Sequence, residues 1–245
     1  MGPLARLVGV FTAPGKTFAS IARYPGRDWL LPAGLFLAVS LLATVMVTPK
    51  LDVNGAVERF TQKMEERQPD MGAEQRAQME TQVRKQYEMG TKGPFRFIGV
   101  FFVAIPMLLV PLFYHGIAAA FGKQTTYSRV LTGYAFVQSV QIVKSLLFLV
   151  IASTKKTIQF DEMTTVVKSN LAAFLDPENT PAFLRAVAGN IDVFEIWALV
   201  LGTMALSRVT KFKVGGAAAV VGGIWILYVL VTSGFAAVGA AFGGA

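Results

Sequence analysis

Seven polar side chains interrupt, or stand at the edge of, long apolar stretches of this chain: Arg96, His115, Gln138, Gln141, Lys144, Asp192 and Glu195. Ionisable groups in such places are costly to leave in hydrocarbon and read first as functional candidates. Gln138, Gln141 and Lys144 fall at i, i+3 and i+6, with Tyr134 and Ser145 flanking, so they form one polar stripe on a helix. A stripe of this kind lines a water-filled path, or it supplies interhelical hydrogen bonds worth about 0.6–2 kcal/mol each. The second use is the commoner. Lys144 lies roughly 21 Å along its helix from Val130, at about 1.5 Å per residue. Glu195 enters from the opposite direction and sits at a similar depth. The expected partner of Lys144 is therefore Glu195, with Arg96 as the competing cation.

Other chemistry is missing. The chain has no cysteine and one histidine. That excludes disulfides, thiolate metal sites, cysteine nucleophiles and any multi-histidine metal site. His115 reads as an interface-level hydrogen-bonder more readily than as a ligand or proton relay. No phosphate-binding glycine loop, metalloprotease helix or nucleophile elbow is present, and the carboxylates are not clustered. The expectation is a protein that is not an enzyme, with no catalytic residue, no cofactor and no metal.

The elements that hold these residues are apolar and long. Of 245 residues, 53% are hydrophobic and 16% charged, against roughly 25% charged in a soluble domain. Mean hydropathy is +0.52. A helical span needs about 20 apolar residues. Five stretches meet or approach that, at about 29–47, 97–121, 130–152, 191–207 and 214–237. Pro106 and Pro111 are expected to kink the second. The expected fold is all-α: a polytopic membrane bundle of five transmembrane helices with amphipathic N-terminal helices and an external helical hairpin. Residues 1–28 form the interfacial part, and residues 29–245 form the five-span domain with outer segments 48–92 and 153–190.

Charge gives the orientation. The segment before the first span and the loops after the second and fourth hold Arg6, Lys16, Arg23, Arg27, Lys123, Arg129, Arg208, Lys211 and Lys213 against Asp28 alone. The other two connections are balanced: residues 48–92 carry eight basic and eight acidic residues, and residues 153–192 carry four and five. The basic excess thus lies on one face, read as cytoplasmic. Five spans then put the C-terminus outside. The formal charge of +8 is accounted for by this face, so nucleic acid is not an expected partner. The lipid bilayer is, and especially its anionic inner leaflet.

Between the spans the periodicity predicts smaller helices. Leu4, Leu7, Val8 and Phe11 share a face with Arg6 off it, and Phe18, Ile21 and Ala22 share another behind Pro14. This is the pattern of helices lying on a leaflet or packed as a collar on the bundle. Val53, Val57, Phe60 and Met64, then Met79, Val83 and Tyr87, predict two helices broken at 68–72. A helical stretch is expected at 164–175. After the turn at 176–181, Thr180 as N-cap with Pro181 behind it predicts a short helix over 182–188. Gly215, Ala219 and Gly223 repeat every four residues, a small-residue seam for close packing within the chain or, alternatively, for a homo-oligomer.

Three strings resemble the bacterial branch of the Ypt-interacting-protein (YIP) domain family. They are the opening from Leu7 to Phe18 with Tyr24-Pro25 after it, the run Phe121 to Leu131 with Gly133-Tyr134-Ala135, and Asn190 to Trp197 at the start of the fourth span. Gln138 stands where the family often has a proline. The resemblance covers nearly the whole chain. It implies five membrane helices, a cytosolic N-terminus and no catalytic activity. The implied location is the bacterial inner membrane. Two roles are expected: a non-enzymatic adaptor or accessory subunit of a membrane complex, such as an exporter, with a protein partner in the membrane; or a small transporter or channel using the stripe of the third span. Tags on the two termini should be reached from opposite faces of the membrane, the N-terminal one from the cytoplasm. Protection of both tags by the same face contradicts the five-span count.

Overall fold

The computed structural model describes residues 1–176 and 179–243. The described residues form eleven α-helices and no strand: α1 Pro3–Thr12, α2 Pro14–Arg23, α3 Leu30–Val47, α4 Val53–Arg67, α5 Ala73–Thr91, α6 Ile98–Ala120, α7 Tyr127–Val137, α8 Ser139–Thr154, α9 Ala182–Asn190, α10 Val193–Thr210 and α11 Val214–Gly243. Residues 177 and 178 of the expected turn, and residues 244 and 245, lie outside the described part.

Five helical stretches are long and apolar enough to cross a membrane: Leu30–Lys50, Pro94–Ala120, Tyr127–Thr154, Val193–Thr210 and Val214–Ala240. They match the five expected spans within a few residues. The third is α7 and α8 in line, and it is the central one, with 44% of its apolar window buried against 17–28% for the others. The outer helices turn large apolar side chains away from the protein, among them Phe101, Phe102, Leu112 and Phe113 on α6 and Leu227 and Leu230 on α11. Contiguous apolar surface on this scale fits lipid, not water, as the solvent.

Local sequence sets the joints. At Gln138 the third span jogs: Gln138 N–H still reaches Tyr134 O at 3.1 Å, but Gln141 N–H closes on Gln138 O three residues back, at 3.0 Å. Pro106 and Pro111 both sit inside α6. A proline removes a backbone donor and crowds the preceding turn, and Tyr127 donates its hydroxyl to Leu108 O at 2.9 Å, three residues ahead of Pro111. Asp52 caps α4 by accepting from Gly55 N–H at 2.9 Å. Lys50 at the end of α3 donates to the carbonyls of Ala152, Ser153 and Lys155 at 2.8–3.0 Å. Those carbonyls lie together where α8 ends, so one cation ties two spans together.

At one end of the bundle lie α1, α2 and the connections that lead into α7 and α11. Thr125 donates to Val209 O at 2.8 Å, and Thr132 donates to Pro25 O at 3.3 Å. Lys123 sits 5.4 Å from the Phe212 ring centroid. The three basic segments therefore meet at one end, called here the collar. At the other end α4 and α5 pair as a helical hairpin, in which Arg76 binds Glu65, Met71 O and Pro69 O across the break. Two expectations for the second connection fail. Residues 164–175 hold only a short 3₁₀ turn, Leu171–Phe174, because Asn170 spends its side chain on Thr164 O and Ala173 N–H. The N-cap of α9 is Pro181, not Thr180.

The collar shares the main core. Val10, Phe18 and Ile21 pack with Phe136, Leu201 and Val221 in one cluster. Gly9 permits this: a Cβ there would stand 2.4 Å from Thr17 Oγ1 on α2. Arg6, expected off the apolar face, is 2% exposed. Its guanidinium binds Asp28 at 2.6 Å and Ser20 Oγ at 3.1 Å, so it is a matched buried cation. Leu4 and Val8 point outward instead, where an interfacial helix would meet lipid. Losing one partner of a buried pair costs about 3–5 kcal/mol. Asp28→Ala should therefore lower the melting temperature in detergent more than the double change Arg6→Met with Asp28→Ala. Equal losses would show that the pair carries no burial cost.

Candidate functional site: a polar cluster on a cavity inside the bundle

The stripe of the third span faces a cavity. Its volume is about 970 Å³, at the upper end of the roughly 300–1,000 Å³ usual for small-molecule sites. It runs along the bundle between α3, α6, α7, α8, α10 and α11. Towards the collar its wall is apolar, with Val130, Gly133, Leu206 and Val209. Towards the hairpin end it carries its polar groups, Gln138, Gln141, Lys144, Asn190, Asp192 and Glu195, beside Phe148 and Met163. Between the two lie Tyr114, Tyr134, Trp225 and Tyr228.

The ion pair differs from the expected one. Lys144 binds Asp192 at 3.0 Å, while Glu195 accepts from Gln141 Nε2 at 2.8 Å. Both acids sit near the level of Lys144, but the carboxylate that meets it is Asp192, not the expected Glu195. The reason lies in the backbone. Residues 169–171 and 191–193 form a short antiparallel bridge, with Leu171 N–H on Ile191 O and Val193 N–H on Ser169 O, both at 3.1 Å. This bridge turns Asp192 inward as the N-cap of α10, where it accepts from Phe194 N–H at 2.8 Å. Ser169 donates to the same carboxylate at 2.5 Å. Asp192 is 2% exposed, and Lys144 closes the set.

Asp192 lies just ahead of the fourth span, and its carboxyl is held below the ordinary range. Burial works against the charged form, but the hydrogen bonds from Ser169 and Lys144, the Lys144 charge and the Phe194 N–H together outweigh it.

The remaining candidates stand apart from this cluster. Arg96 lies over the Phe97 ring, 4.8 Å from its centroid, and among the described residues no ion pair joins it to Glu195. His115 sits edge-on to Tyr127, with ring centroids 6.4 Å apart, and among the described residues its buried Nδ1 has no hydrogen-bond partner. Gly215, Ala219 and Gly223 do not pack within the chain. They are exposed, and nothing lies within 4 Å of where a Cβ would stand at either glycine. The packed face of α11 carries Ala217 and Val221 instead. Close approach occurs elsewhere, at Gly133, where a Cβ would be 3.4 Å from Val209 Cγ1, and at Gly202, 3.5 Å from Val221 Cγ1. Sequence reasoning missed Ser169 and the aromatic belt of Tyr114, Trp225 and Tyr228. Among the described residues no group of three or more acidic, histidine or cysteine side chains is placed to hold a metal ion.

The family strings fall on these joints. Asn190 to Trp197 carries the Asp192 cap, Glu195, and Trp197 in edge contact with Phe11 of the collar at 5.3 Å. Phe121 to Leu131 forms the collar connection, and Phe121 meets Phe212 at 5.8 Å. A family model, the Yip1 domain, matches residues 8–235. The chain belongs to the Yip1 domain family. No curated protein and no solved structure matches it. The Yip1 domain thus spans the collar, all five membrane helices and the polar cluster.

Because the folded state holds Asp192 below its unfolded value of about 3.9, this carboxyl contributes stability at neutral pH. That contribution is lost as pH falls through about 4 and below. Asp192→Asn should lower the melting temperature at pH 7 and flatten its decline between pH 5 and pH 3. An unchanged acid profile in the variant would exclude Asp192 from the acid sensitivity.

Proposed function

We propose that this Yip1-domain protein is a non-enzymatic membrane protein that takes a small amphiphilic molecule into the cavity of its bundle and serves its transport across or within the bilayer. One observation carries this reading: the stripe Gln138, Gln141 and Lys144 lines the 970 Å³ cavity as well as bonding to α10. Stripes that serve only as glue are consumed between helices in contact. Here the polar groups form one end of a chamber whose other end is apolar, which suits a molecule with a polar head and a greasy body. The proposal keeps the basic collar in the cytoplasm, on an anionic leaflet of the bacterial inner membrane.

A second reading, an adaptor or accessory subunit of a membrane complex such as an exporter, draws on the hairpin α4–α5. It stands at the end of the bundle and carries the exposed charges of Arg84, Glu80, Lys92 and Glu88. Pull-down in gentle detergent from native membranes discriminates. A stoichiometric partner supports the adaptor, and a clean monomer or dimer counts against it.

For transport, the purified chain in proteoliposomes should speed the passage of a fluorescent amphiphile over that in protein-free vesicles, and Lys144→Met should cut the gain by at least about tenfold. That variant leaves Asp192 buried without its cation, a loss of about 3 kcal/mol or more for a desolvated pair, so its fold is checked by melting. Passage at the protein-free rate overturns the transport reading.

A further inference from the structure

The charged residues on the cavity wall are Lys144, Asp192 and Glu195. They are not equivalent. Lys144 and Asp192 neutralise each other at 3.0 Å. Glu195 has a neutral partner, the amide of Gln141, so the wall carries one anion without a cation of its own. Lys144 is one cation beside two carboxylates, and its ion pair is with Asp192. Burying an anion in this way is costly unless something offsets it.

Aromatic residues share the cavity wall with Glu195. Tyr114, Tyr134 and Tyr228, from α6, α7 and α11, line the same cavity. Tyr114 and Tyr134 meet edge to face, with centroids 6.1 Å apart. Trp225, one turn before Tyr228, lines the same wall. A carboxylate and several aromatic rings on one cavity wall are the chemistry that holds an organic cation. The carboxylate supplies the counter-charge, and the rings supply cation–π attraction. An anion would meet the net negative charge of the wall, and a neutral solute would leave Glu195 unpaired.

We propose that the cavity binds lipophilic organic cations, with Glu195 as counter-ion and Tyr114, Tyr134, Trp225 and Tyr228 as the surrounding aromatic wall. This rests on the reading of the cavity as a binding chamber and adds the charge class of its occupant. The polar end near the hairpin takes the cationic centre, and the apolar wall towards the collar takes the rest of the molecule.

Two ions of nearly one shape, tetraphenylphosphonium and tetraphenylborate, and the smaller neutral triphenylphosphine oxide separate charge from greasiness. Binding to the full chain in nanodiscs of zwitterionic lipid is followed by tryptophan fluorescence and by calorimetry. The expected result is at least about tenfold tighter binding of the phosphonium than of either other probe. Glu195→Gln, which keeps a hydrogen-bonding partner for Gln141, should remove that preference without lowering the melting temperature by more than a few degrees. Tyr228→Leu should weaken the phosphonium selectively. Equal binding of all three probes, or a phosphonium preference that survives in Glu195→Gln, overturns the cation assignment while leaving the chamber. Binding of none of them overturns both.

Discussion

Hydrocarbon offers no hydrogen bonds, so every charge carried into this bundle must be met by the protein itself. Lys144 is the deepest basic residue of the third span, and its match with Asp192 depends on three pieces of chain and a link between two of them. These are α8, the N-terminus of α10, Ser169 on the connecting segment, and the backbone bridge between residues 169–171 and 191–193. The bridge fixes where α10 enters, and the entry point of α10 fixes its packing on α7 and α11. Glu195, one turn further on, is placed by the same constraint. The polar end of the cavity is thus a consequence of how one lysine is satisfied.

The collar repeats the logic at the opposite end. Arg6 is enclosed by Asp28 and Ser20, and that lets α1 and α2 contribute Val10, Phe18 and Ile21 to the common core. Between the two anchored ends the central third span is well packed on α10, whereas α6, with two prolines and many exposed apolar residues, serves as a looser wall. A chamber arises where helices fixed at their ends do not fill the space between them.

Much of this was legible in the sequence because it depends on composition over long windows. Five apolar runs, their boundaries, the hairpin break at 68–72 and the gathering of basic residues at one end follow from counting. What failed depended on partners remote in the chain. A helical wheel puts Arg6 to one side but says nothing of Asp28, 22 residues on. Depth placed an acid near Lys144, but the turn that aims Asp192 inward is set by Asn170 and Ser169, which look like ordinary loop residues. The repeat of Gly215, Ala219 and Gly223 signals that a backbone can be approached closely, not that any helix does so. A cavity leaves no mark at all, since it is the absence of a packing partner. Only the polar stripe hinted at it.

The central claim is that the stripe borders an interior space reachable by water while the other faces of the same helix border lipid. The chain has no cysteine, so single cysteines report without background. Gln138→Cys and Ser145→Cys face the cavity, and Leu146→Cys and Leu147→Cys face outward. In membranes treated with a small charged methanethiosulfonate reagent, the first two should be modified and the last two spared. Stripe positions as inert as the outward ones would contradict the account.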